Sequence, residues 1–142
     1  MDYKLSIKRK KYGVVITFIS LLSTVLIFEY GRIEHWSFVL RILQLVSLIV
    51  LVLSITFTYV KTGLWNFTHK PIEKLDEREV ALTSKSLRLS YSIFSVLVLI
   101  LLMYFSIAER PLNIVLVVSL VLFAHLLPAS VIIWLVKHTK KM

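Results

Sequence analysis

The sequence predicts an all-α protein, a four-helix transmembrane bundle built from two antiparallel hairpins. Three observations predict it. The chain of 142 residues is 58% hydrophobic, and its mean hydropathy of +0.83 lies well outside the range of soluble domains. Its apolar stretches recur at lengths that approach or exceed the ~18 residues of a membrane helix. Its charge, a net +9, is confined to particular segments. Fourteen of the seventeen Lys and Arg residues lie in the first twelve residues, in the polar middle from Lys61 to Ser90, or after Trp134. Four crossings would bring all three of these segments to one side of a membrane, which is the positive-inside pattern and predicts cytoplasmic N- and C-termini.

The elements follow in order. Lys8 to Lys11 and the apolar run from Gly13 to Phe28 have the outline of a secretory signal. Glu29, Tyr30, Gly31 and Arg32 follow without a small-x-small cleavage pattern, so the stretch reads as an uncleaved first helix over 13–30. Tyr12 and Tyr30 suit its two interfaces. Residues 31–37 form a short connection, with Gly31 as the turn residue and Trp36 as an interfacial anchor. A second helix spans 38–61. Its polar residues Arg41, Gln44, Ser47, Ser54 and Thr58 fall on one face, and Thr17, Ser20 and Thr24 form a counterpart on the first helix. A hydroxyl or amide in hydrocarbon needs a partner, so the two stripes are expected to meet.

Lys61, Thr62 and Gly63 suit the end of that helix, and Thr68 to Pro71 suit a turn. Asp76 followed three residues later by Glu79 has capping-box spacing, with Asp in place of the usual Ser or Thr. No Gly or Pro then occurs before Pro111, which predicts one long helix over 77–107 with its first turns, 77–90, projecting into the cytoplasm beside the loop 62–76. Leu75, Leu82 and Leu89 recur every seven residues as an apolar seam. Ser106 to Arg110 form a tight turn, and Pro111 opens a last helix over 112–137 that holds Asn113, Ser119, His125, Pro128 and Ser130, with Trp134 at the inner interface.

Several classes of chemistry find no support. With no cysteine there are no disulfides, thiol nucleophiles or Cys-ligated metals. The three glycines, Gly13, Gly31 and Gly63, build no phosphate loop, and no nucleophile elbow or paired-histidine motif occurs. His69, Glu73, Asp76 and Glu77 are close in sequence but match no metal-ligand spacing, and the cap explains Asp76 without one. No enzymatic activity, cofactor or metal is expected. The basic residues line no folded face, so nucleic acid is not an expected partner. Anionic lipid head groups are, at ~1 kcal/mol for each basic side chain near the surface.

Five intramembrane residues stand out. His125 lies near the middle of the fourth helix, where an ionisable side chain can relay protons or bind a cation, or else hydrogen-bond a hydroxyl of another helix. Pro128 leaves the carbonyl of Ala124 without its usual donor. Arg41, one turn inside the outer interface, can snorkel, or pair with Glu29, Glu34 or Glu109, and with Gln44 and Ser47 it can line the mouth of a polar path. Asp76, Glu77, Arg78 and Glu79 form the polar candidate, as a cap or a contact surface.

The run Lys70-Pro71-Ile72-Glu73-Lys74-Leu75-Asp76-Glu77-Arg78-Glu79, ahead of a long helix, resembles a loop of small uncharacterised prokaryotic membrane proteins with a Leu-Asp-Glu-Arg element. The resemblance covers about ten residues and implies a small multi-spanning protein of a prokaryotic inner membrane. The chain lacks the acidic first-helix residue of small four-helix drug exporters and the Gly- and Asn-rich core of fluoride channels. The expected function is a membrane component that works by protein contact through its cytoplasmic loop, with a membrane protein or another copy of the chain as partner. The alternative is a small oligomeric transporter or channel whose path passes His125 and Arg41.

Overall fold

A computed structural model describes residues 2–65 and 71–136, the side chains of 2–6 and 72 excepted. It is all-α, with helices α1 (Asp2–Ile33), α2 (Phe38–Ile55), α3 (Glu77–Ile107) and α4 (Ile114–Leu135). A π-helical turn (Thr56–Val60) prolongs α2, and a 3-10 turn (Ile72–Lys74) precedes α3. No strand occurs among the described residues. Four segments are long and apolar enough to cross a membrane: Ile7–Ile33, Phe38–Val60, Glu77–Ile107 and Ile114–Leu135. Large apolar side chains stand outward along all of them, with Phe38 78%, Ile107 79% and Ile114 71% exposed. Apolar surface on this scale has a favourable solvent only in lipid, so the chain is a multi-pass integral membrane protein. It divides into two compact units, Met1–Leu64 and Trp65–Met142, each a helical hairpin.

The first hairpin departs from expectation at both ends of α1. The helix begins at Asp2 rather than near residue 13. Lysine and arginine lose little rotamer freedom in a helix, and nothing between Lys4 and Lys11 breaks one, so the basic segment is helical rather than a loose tail. The 32 residues of α1 make a rod ~48 Å long, against a hydrocarbon core of ~30 Å. Gly31 is not the turn residue. It lies inside α1, buried, and the Trp36 indole rests on it so closely that a Cβ there would come within 3.0 Å of the ring. Trp36 also meets Phe28 edge-on, with ring centroids 5.6 Å apart. The chain reverses instead through His35, whose φ of 62° is left-handed, and Ser37 caps α2 by accepting the Leu40 amide.

The other correction lies in α2, where the predicted uniform helix gives way to the π turn. The Lys61 amide there reaches five residues back to the Thr56 carbonyl. Gly63 ends the helix with φ of 70°, as its position suggested. The Lys10 ammonium reaches across from α1 to the Thr62 carbonyl at 3.4 Å, a cation placed at the negative end of α2.

In the second hairpin the capping box is formed. Asp76 accepts the Glu77 amide at 2.8 Å, and its own amide donates to the Glu79 carboxylate at 3.4 Å. The far end of α3 closes in a Schellman turn. The Arg110 amide donates to the Phe105 carbonyl and the Glu109 amide to that of Ser106, with Glu109 left-handed at φ 50°. Pro111 does not open α4, contrary to the sequence reading. Asn113 is the cap, accepting the Leu116 amide at 2.7 Å, because its side chain satisfies an orphan amide that proline cannot. The leucines spaced by seven are not the buried face of α3. Leu75 precedes α3 and Leu89 is exposed, whereas the buried face of the first half of α3 is Ser86 and Ser90.

Candidate functional site

The two polar stripes of the first hairpin do meet, and they meet as a repeated triangle. Thr17 Oγ1 lies 2.5 Å from Ser54 Oγ, and both hydroxyls lie within hydrogen-bond distance of the Gly13 carbonyl, at 2.8 and 3.3 Å. Seven residues on along α1 and seven back along α2, Thr24 Oγ1 lies 2.8 Å from Ser47 Oγ, and both address the Ser20 carbonyl, at 2.9 and 3.2 Å. Each triangle holds two hydroxyl protons and three oxygens, so one hydroxyl donates to the carbonyl and the other to its partner hydroxyl. A repeat of seven in both helices is the seam of a left-handed antiparallel pair. One turn beyond the first triangle, Gly13 faces Thr58. A Cβ on Gly13 would lie 2.9 Å from Thr58 Cγ2 and 3.1 Å from its Cβ, so only glycine admits the approach.

This geometry decides the place of the α2 candidates. Ser47 is buried and bound into the second triangle. Gln44, one turn away, is half-buried, with Oε1 shielded and unpaired among the described residues. Arg41 is exposed, and the carboxylate of Glu29 pairs with Arg32 at 3.6 Å. The three residues therefore grade from an open cation to a closed hydroxyl along one stripe.

His125 sits on the exposed side of α4, eleven residues from its start. Its Nδ1–H donates to the Val121 carbonyl at 3.0 Å, since a carbonyl only accepts. The imidazole thus satisfies one nitrogen within its own helix rather than on a hydroxyl of another. Of the cap residues, Asp76, Glu77 and Arg78 are exposed and Glu79 is half-buried. Among the described residues no group of three or more His, Asp and Glu can hold a metal ion; His69 lies outside them.

The sequence reading missed the polar joint of the second hairpin. Ser86, fully buried, donates to the Pro128 carbonyl at 2.6 Å. Thr83 and Ser90, one turn to either side, carry buried hydroxyls with no partner among the described residues. The signal was present: Thr83, Ser86 and Ser90 step by three and four, like the stripe on α1. Further along, Phe94 stacks on Phe123 with centroids 6.4 Å apart. Every residue from Leu126 to Ile133 is buried. Compared with known proteins, the chain matches no protein-family model, no curated protein and no solved structure.

Proposed function

We propose that this multi-pass membrane protein works by contact, docking a membrane protein or a second copy of itself through the polar loop and the protruding start of α3, with both termini in the cytoplasm. One observation carries the reading. The hydroxyls of the first hairpin's seam are consumed in closed triangles, while Asp76, Glu77 and Arg78 stand exposed on a helix start fixed by its capping box. Polar groups bound into triangles hold helices together and leave little for a passing solute. A rigid, charged helix start is a surface that a partner can read. The basic residues of the same side, Lys10 and Lys61 among them, are then placed for anionic head groups of an inner membrane.

Photo-crosslinking in cells tests the reading. A photoreactive side chain at Arg78 should capture a partner that the same group at Leu99, exposed deep in the apolar part of α3, does not. Equal capture at both positions, or none at Arg78, removes the contact function.

The exposure of His125 at mid-span favours a second reading, a small oligomeric transporter or channel. Its test is solute flux in proteoliposomes. Flux by the native chain that His125→Ala abolishes supports this reading, and flux unchanged by the substitution takes His125 out of it.

A further inference from the structure

We infer that a buried water molecule bridges the Ser90 hydroxyl of α3 and the Ala124 carbonyl of α4, half-way along α4. Pro128 has no N–H, so the carbonyl of Ala124, four residues earlier, lacks the donor that an unbroken helix would give it. In hydrocarbon such a carbonyl must be satisfied from elsewhere, because an unpaired one costs several kcal/mol.

Ser90 is placed to help. It lies between two contacts that fix the register of the hairpin, Ser86 with Pro128 and Phe94 with Phe123. Four residues up α3 from Ser86 is Ser90, and four residues down α4 from Pro128 is Ala124. The helices run antiparallel, so both steps cover the same ~6 Å of axis in the same direction. Ser90 is only 4% exposed, and its hydroxyl is within hydrogen-bond distance of nothing among the described residues. The pairing of a serine hydroxyl with a proline-freed carbonyl is therefore set up in register but not closed directly. Two polar groups in register that make no direct bond are a pair that a single water can join. Such a water would have a donor-acceptor on one side and an acceptor on the other, which meets the ~2 to 4 polar partners that buried waters hold.

The joint would then have two unlike halves. Ser86 donates directly to the Pro128 carbonyl, and water completes the break one turn along.

Water-edited solid-state NMR on the full chain in lipid bilayers tests this. The pairs Ala124-His125 and Phe123-Ala124 each occur once in the sequence, so carbonyl carbon and amide nitrogen labels isolate the two adjacent carbonyls at one depth. Magnetisation should pass from water to the Ala124 carbonyl faster than to that of Phe123. The difference should vanish in Pro128→Ala, which restores an N–H to the Ala124 carbonyl, and shrink in Ser90→Ala, which removes the second partner. Equal transfer to both carbonyls in the native chain overturns the inference, whether or not the variants fold.

Discussion

Thr24 Oγ1 and Ser47 Oγ lie 2.8 Å apart between α1 and α2, both buried, and both turn to the one carbonyl of Ser20. The same figure recurs one heptad away with Thr17, Ser54 and Gly13. Removing one hydroxyl leaves its partner a carbonyl to address, so the loss is graded. Thr24→Val, nearly isosteric, should cost ~0.5–1.5 kcal/mol. In a double-mutant cycle with Ser47→Ala the coupling should be ~0.6 kcal/mol, the usual size for such bonds in membranes. Reversible unfolding in mixed micelles measures both. A coupling of zero would mean the two hydroxyls bond their own helices only.

Gly13 sets how closely those helices approach. Gly13→Ala gains helix propensity but drives a methyl into the Thr58 side chain, whose branched atoms lie on the rigid Cβ and have little room to yield. Gly13→Val should destabilise the chain by ~1–3 kcal/mol through overpacking. Gly13→Ala combined with Thr58→Ala should recover most of the loss that Gly13→Ala alone produces. Thermal unfolding of the three variants checks the order, and a Gly13→Ala chain as stable as the native one contradicts the close approach.

At the start of α3 the capping box predicts a local effect. Asp76→Ala should cost ~0.5–2 kcal/mol and speed hydrogen exchange at the amides of 77–80, whereas Asp76→Ser should retain most of the protection. Exchange followed by mass spectrometry reads the difference. The result also guards the crosslinking test, because Arg78 belongs to the same turn.

Glu109 offers a stabilising change. Its left-handed backbone, φ 50°, is one that a residue with a Cβ adopts at a cost. Glu109→Gly should keep the Schellman turn and raise stability by up to ~1 kcal/mol. A fall in the unfolding midpoint would show that the Glu109 side chain supplies more than its backbone costs.

Most of this architecture is written in period and composition. The four spans follow from hydrophobic length. The meeting of Thr17, Ser20 and Thr24 with Ser47, Ser54 and Thr58 follows from spacing and the need of a hydroxyl for a partner in lipid. The box at Asp76 and Glu79 and the stop at Gly63 are short-range signals of the backbone itself. What escaped the reading has physical reasons. Lys8 to Lys11 carry charge, which suggests a tail, but their helix propensity is high and α1 simply continues through them. Gly31 has two uses, a left-handed turn or a seat for a large ring, and only the position of Trp36 decides between them. The π turn at Thr56–Val60, which buries both Thr58 and Tyr59, has no residue signature. Ser86 was hidden by a competing pattern, the leucines every seven residues, which marked a face the fold does not bury. For His125 its place half-way along the helix was legible, but not that the ring would bond its own helix.

The bond from Ser86 to the Pro128 carbonyl ties the first half of α3 to the residue that interrupts the backbone ladder of α4. That bond holds α3 beside the backbone bond that α4 lacks, between the Pro128 nitrogen and the Ala124 carbonyl. The proposed contact at Glu77 and Arg78 would therefore act on a helix fastened, roughly two and a half turns along, beside the rung that Pro128 leaves open.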